Sequence, residues 1–253
     1  MRTARRLDAA LAGRTLVAAE LRWPSVAGVE LAGRTVLRTA TAGKHLLTRF
    51  DDGRTLHTHL RMDGLWRVQR TTQRPVRLGE AVRVLLAGPE WTCLGLRLGM
   101  VDLVRTRDEG RVVGHLGPDV LAPDWDRESA VARVRAQGAR PIGAALLDQR
   151  VVAGLGTIYM AECLWAHGVS PWRPAERVED PGAVLDTARR LMQRSVLART
   201  PTATGDARPG RESHVHGRAG LPCPRCGGPV AVAPVGEPPT TRPAYHCPAC
   251  QPD

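Results

Sequence analysis

Four of the six cysteines, Cys223, Cys226, Cys247 and Cys250, form two Cys-x-x-Cys pairs with twenty residues between them. Each such turn presents two sulfurs to one side, and two turns together supply the four tetrahedral donors that Zn2+ prefers. Gly227-Gly228 after the first pair lets the backbone bend round an ion. Four protein ligands leave no open coordination position, so the expected role is structural. A redox dithiol or a chance recurrence are the other readings, and both fit zinc-ribbon spacing less well. His246, beside Cys247, is a second candidate donor, expected to stand by. A ribbon of this size buries little core, so the metal is expected to supply much of its stability.

Two further groups could do chemistry. Lys44 is the single lysine among 36 basic residues. An ammonium is a compact donor whose proton affinity can be tuned, whereas a guanidinium stays charged. The other reading is a solvated surface lysine. The run LDQRVVAGLGTIY, residues 147–159, joins two helical stretches through glycines. Gly156 and Thr157 there would offer unpaired backbone N–H groups and the positive end of a helix dipole, which suits a phosphate. Plain helix packing explains a Gly-x-Gly equally well in isolation.

Elements must hold these groups in place. Residues 2–12 read as an amphipathic helix with Leu7, Ala10 and Leu11 on one face. Apolar segments at 15–21, 35–39, 45–50, 65–68, 81–86, 94–98 and 101–104 alternate with turn signals such as Asp51-Asp52-Gly53, the pattern of a β-sandwich or barrel. Downstream the periodicity is helical. Asp126 is placed to cap a helix reaching about Ala136, Pro141 opens one reaching about Gln149, Thr157 is expected to cap 158–166, and Gly168 to end it. A last helix is expected over 181–197, and 200–220 reads as a linker. The fold class is therefore α+β multidomain. The expected domains are an N-terminal β-sandwich with a flanking helix (1–122), a helical domain (123–205) and a zinc finger (206–253).

The 253 residues carry a formal net charge of +11. A basic chain without a long apolar run points to a polyanion, with nucleic acid the default, rather than to a membrane. A bias toward arginine in GC-rich coding accounts for the same excess. Paired cysteines beside lone Cys93 and Cys163, with no secretory leader pattern, lead us to expect a cytoplasmic protein.

Taken together, 147–159 resembles the helix-two-turn-helix of the formamidopyrimidine-DNA glycosylase/endonuclease VIII family, and 216–251 resembles its zinc finger. Ala42-Gly43-Lys44-His45-Leu46, His59-Leu60-Arg61-Met62-Asp63-Gly64 and His115-Leu116-Gly117-Pro118-Asp119 match family segments in the same order. The likeness covers nearly the whole chain and leans toward endonuclease VIII-like members. It implies a monomer that binds damaged double-stranded DNA in a basic cleft. It also implies a base-excision repair glycosylase with AP lyase activity. Lys44 falls on the lysine that contacts the phosphate beside the lesion and assists β-elimination. Met62 falls on the wedge that fills the gap left by an extruded nucleotide. Arg242, five residues before Cys247, falls on the arginine that grips the phosphate of the damaged nucleotide and helps δ-elimination. Gly156 and Thr157 fall on the phosphate-holding turn, with threonine where many members carry asparagine. His115 falls where endonuclease VIII has a DNA-contacting arginine.

The family's nucleophile is an N-terminal proline followed by glutamate, which attacks C1′ of a flipped nucleotide to form a Schiff base. This sequence opens Met1-Arg2-Thr3-Ala4, which resembles the family's first helix already under way, and we expect the native start to lie upstream. A protein that binds damaged DNA without catalysis is the alternative, as is a Schiff base formed by Lys44 itself. An RNA-binding ribbon is disfavoured by an aromatic content of 4%. Residues 99–105 are expected to form a loop against the damaged base. They depart from the pattern of members that excise oxidised purines, so an oxidised pyrimidine or an abasic site is the expected lesion.

Overall fold

The computed structural model describes residues 1–72, 79–198, 200–206 and 208–252. Position 207 of the expected linker lies outside them. The chain divides into two compact units, Met1–His115 and Leu116–Asp253.

The first unit opens with helix α1 (Arg2–Leu11). Ala4, Leu7, Ala10 and Leu11 are buried, a three-to-four spacing that lines one helical face. Strands β1 (Ala18–Leu21), β6 (Val82–Ala87), β7 (Trp91–Leu96) and β5 (Leu65–Arg70) pair in that order as one antiparallel sheet. Strands β2 (Val36–Ala42), β3 (His45–Phe50), β4 (Arg54–His59) and β8 (Met100–Arg105) form the other. Leu46, Phe50, Leu56 and Val101 of the second sheet meet Trp66, Val84, Leu86 and Cys93 of the first and the buried face of α1 in one core. Each leucine so buried contributes roughly 1.5–3 kcal/mol over an exposed one. The Asp8 carboxylate accepts the Thr39 N–H at 2.6 Å and ties α1 to β2.

Because a strand alternates its faces, the same register turns His45, Arg49, Thr55, His57, His59 and Asp102 to the outside of the second sheet. The segment 106–115, with the short helix α2 (Gly110–Val113), supplies partners there. Glu109 takes bidentate bonds from Arg49 at 2.7 and 2.5 Å and one from the Thr55 hydroxyl at 2.7 Å. Two expectations change. Strand β4 is additional: of its six residues only Leu56 is apolar, and Arg54 and Thr58 on the same face are polar, so no apolar alternation shows. Residues 100–105 are strand β8 paired along β4, which agrees with the apolar segment at 101–104 and replaces the loop expected over 99–105.

The second unit holds α3 (Arg127–Arg135), α4 (Ile142–Leu147), α5 (Thr157–Ala166) and α6 (Pro181–Leu197), then a hairpin of β9 (Ala231–Val235) and β10 (Arg242–His246). Asp126 and Asp180 cap α3 and α6 by accepting N–H groups from Ser129 and Ala183 at 2.9 and 2.8 Å. Helix α5 is buried continuously from Met160 to Trp165, a run that is apolar except for Glu162. Its cap differs from expectation: Gly156 occupies the N-cap with extended backbone, and Thr157 is the first helical residue, so no side chain closes that end. No described helix is long and apolar enough to cross a membrane.

Candidate functional site

In the first unit, β2 and β3 are joined by Gly43-Lys44, with Ala42 paired to His45. Such a two-residue hairpin needs a positive φ at its first central residue, and Gly43 supplies 55°. Lys44 is thereby held exposed on the tip of a hydrogen-bonded ladder. A second tip carries Met62, whose 91% exposure leaves a large apolar side chain in solvent. The preceding Arg61 sits at φ 53°, a strained region for a non-glycine residue. Its N–H donates to His59 Nδ1 at 3.0 Å.

Beneath Lys44 lies a group that motif reading did not single out. His57 is packed on the outer sheet face with its side chain 1% exposed, its Nδ1 3.1 Å from Asp102 Oδ2 and its Nε2 2.7 Å from His45 Nδ1. The His45 ring is stacked on His57 at 5.0 Å and meets His59 and His115 edge-on at 4.7 and 6.0 Å. The structure thus brings His115, singled out from sequence, to His45, which was not. Burial lowers His45 to about 4, helped by the positive fields of His59, His57, His115 and Arg61. Burial also lowers His59, with Arg61 and Lys44 adding to it. Burial lowers His57 even against the upward pull of Asp102. Burial thus disfavours the charged forms of His45, His57 and His59. Only the register of β3, β4 and β8 brings these residues together, and the His57-x-His59 alternation was the one available sequence signal.

In the second unit, the turn before α5 is stitched by Gln149. Its amide nitrogen donates to Leu147 and Leu155 carbonyls, each at 3.0 Å, and its oxygen accepts the Gly154 N–H at 3.0 Å. Gly154 stands at φ 92°. The first turn of α5 carries no acidic residue, so the partial positive charge at that terminus is not offset by its own side chains.

The four cysteine sulfurs lie within 4.8 Å of one another. Cys226 and Cys247 are 3.4 Å apart and Cys223 and Cys250 4.0 Å. A tetrahedral ion with bonds of about 2.3 Å spaces its sulfurs by about 3.8 Å, so the donor set fits a metal ion. It is the only such cluster among the described residues. His246 stays outside it, edge-on to Trp172 at 4.7 Å. The cluster is docked on α5. The Trp165 indole N–H donates to Cys223 Sγ at 3.4 Å. The buried Glu162 carboxylate accepts the N–H groups of His214, Val215 and His216 and pairs with His214 Nδ1 at 2.8 Å. Arg242, the first residue of β10, is exposed between the cysteine pairs, its Nη1 donating to the Thr241 carbonyl at 2.9 Å.

Two family models match this chain, the formamidopyrimidine-DNA glycosylase N-terminal domain over residues 1–117 and the formamidopyrimidine-DNA glycosylase H2TH domain over 116–205. A Streptomyces coelicolor protein named probable endonuclease 8 2 is 46% identical over 253 residues, spanning 98% of this chain and 90% of the relative. The DNA-(apurinic or apyrimidinic site) lyase Nei2 of Mycolicibacterium smegmatis is 38% identical over 249 residues, spanning 98% and 95%. The fold matches Lactococcus lactis formamidopyrimidine DNA glycosylase in a noncovalent complex with AP-site DNA. That match has a TM-score of 0.81 at 23% identity and covers 100% of this chain and 97% of that one.

Proposed function

The chain belongs to the formamidopyrimidine-DNA glycosylase/endonuclease VIII family, and from that premise we propose how its residues serve the chemistry of a repair enzyme. It is a DNA glycosylase and AP lyase. The observation that carries this is likeness along 98% of the chain to relatives named endonuclease 8 and AP-site lyase. Those named activities leave a purely DNA-binding role disfavoured.

Damaged double-stranded DNA is the substrate, an oxidised pyrimidine the base removed, and a monomer the working species. Lys44 presents its ammonium to the phosphate beside the lesion, which suits its exposed place on a rigid hairpin tip. Met62 enters the base stack where a nucleotide has been flipped out, and a flexible apolar side chain already in solvent loses little on insertion. Unpaired N–H groups at Gly156 and Thr157 hold a second phosphate, and Arg242 grips the phosphate of the damaged nucleotide through its planar fork. His115 adds a contact near Lys44. The four cysteines hold one Zn2+, which supplies structure, since all its positions are filled by protein.

In this family the attacking amine is that of an N-terminal proline, with glutamate beside it moving protons. The deciding experiment uses protein isolated from its own cells, with its intact mass recorded. It is incubated with duplexes carrying an abasic site, an oxidised pyrimidine, 8-oxoguanine or no lesion. Strand cleavage at the abasic site and borohydride trapping, with the adduct mapped to the N-terminal peptide, are expected. Lys44→Ala should slow cleavage on the order of 100-fold. Salt-dependent binding without cleavage or trapping would overturn the reading, and an adduct mapped to Lys44 would reassign the nucleophile.

A further inference from the structure

The outer face of the β2-β3-β4-β8 sheet holds a line of three side chains to which the roles above assign nothing: Asp102, His57 and His45. Cross-strand register places His57 directly opposite Asp102 and two residues along from the partner of His45. All three therefore share one face. Both ring nitrogens of His57 are engaged, at 3.1 Å to Asp102 and 2.7 Å to His45.

The polarity of this line follows from donor counting. A carboxylate can only accept, so His57 Nδ1 carries the proton that faces Asp102. A neutral His57 then has only a lone pair at Nε2, so His45 Nδ1 must donate to it. A neutral His45 is left with its lone pair on Nε2. Asp102 therefore sets the tautomer of an imidazole two bonds away. His57 is enclosed, whereas His45 is only partly buried and follows Lys44 directly in the chain.

We propose that Asp102 and His57 are positioning residues that hold His45 with Nε2 unprotonated as a proton acceptor for the lyase step. This rests on the AP lyase reading. In that step the sugar is bound through C1′ as a Schiff base. The C2′–H bond breaks, its proton goes to His45 Nε2, and its electron pair forms the C2′=C3′ bond. The C3′–O bond breaks, and its pair leaves with the phosphate. The charge gained by His45 is shared along Nδ1–H to His57 and on to Asp102.

The surroundings make this acceptor dependent on substrate. The charged and titratable groups facing His45 are His57 and His59 of β4, Arg61 of the following turn and His115 of the covering segment. Lys44 acts on His59 beside it. Burial, with the Arg61 guanidinium nearby, keeps His45 weakly basic at rest. A phosphodiester arriving at Lys44 offsets that positive charge and raises the proton affinity of the imidazole in the complex.

The test uses the full chain, wild type and Asp102→Asn, labelled with 15N-histidine. An Asn amide can donate to His57 Nδ1, which moves the His57 proton to Nε2 and reverses the line with almost no change of shape. Long-range 15N–1H spectra should show His45 protonated on Nδ1 in the wild type and on Nε2 in Asp102→Asn. On an abasic duplex, single-turnover β-elimination by Asp102→Asn should fall by roughly 100-fold or more. Borohydride trapping and duplex affinity should stay within about twofold of wild type, an order-of-magnitude reading of an untouched binding surface. Asp102→Glu, which keeps the carboxylate, should recover part of the rate. A wild-type His45 protonated on Nε2 would overturn the proposal without touching the enzyme assignment. So would elimination by Asp102→Asn at the wild-type rate, or trapping that falls in step with elimination. A wild type that neither traps nor cleaves would instead defeat the lyase reading itself.

Discussion

Glu162→Gln isolates one buried charge with almost no change of shape. The Glu162 side chain is 0% exposed. One oxygen accepts three consecutive backbone N–H groups, His214, Val215 and His216, at 2.9–3.0 Å. The other accepts from His214 N at 2.9 Å and His214 Nδ1 at 2.8 Å. A glutamine can keep its oxygen under the three backbone donors and turn its amide toward the imidazole, which accepts after a tautomer change. The three backbone bonds survive but fall from charge-assisted to neutral. At about 1 kcal/mol lost per bond, the expected destabilisation is about 3 kcal/mol. The assay is urea unfolding followed by tryptophan fluorescence in excess Zn2+, with hydrogen exchange at amides 214–216 as the local readout. Burial by itself would raise the Glu162 pKa, but the bonds from His214, His216 and Val215 outweigh it and hold it low. Its stabilisation is thus present above the unfolded value of about 4.3 and lost as pH falls through the lower folded value. The gap between wild type and variant should close over that acidic range. A loss under about 0.5 kcal/mol, within ordinary surface-substitution scatter, with undiminished protection at 214–216, would refute the reasoning.

Removing the proposed Zn2+ with a chelator should loosen 214–252 while leaving the Met1–His115 unit folded, as exchange mass spectrometry would show; equal loss of protection in both units would contradict this. Met62→Ala should change stability by no more than about 0.5 kcal/mol, because the side chain is 91% exposed. The same variant should weaken binding to an abasic duplex more than to an intact one. Gly117→Ala would set a Cβ 2.5 and 2.6 Å from the carbonyl oxygens of Val151 and Arg150. Backbone on both sides cannot yield cheaply, so thermal unfolding should report a loss of at least about 1–3 kcal/mol.

Local patterning carried much of the architecture. The face of α1, the acidic cap of α3 and the start of α6 follow from short-range periodicity and capping chemistry, which need no tertiary partner to be read. Strand β4 was hidden because its inward face carries Arg54 and Thr58 beside the single apolar Leu56, so the apolar alternation that marks a half-buried strand is missing. The end of α5 was read from the wrong residue, since a threonine in that position caps only if its backbone is still extended, and the extended residue is Gly156.

The sequence by itself determined the elements that depend on spacing along the chain. These are the two Cys-x-x-Cys turns, the glycine turn ahead of α5 and the apolar rhythm of the helices, since each is built from neighbours a few residues apart. Only tertiary structure decided which distant residues share a face. Register joined His45, His57 and Asp102 across three strands, and helix packing brought Glu162 and Trp165 under 214–216 and Cys223. Charge, tautomer and proton affinity depend on those long-range neighbours, and one-dimensional spacing contains no record of them.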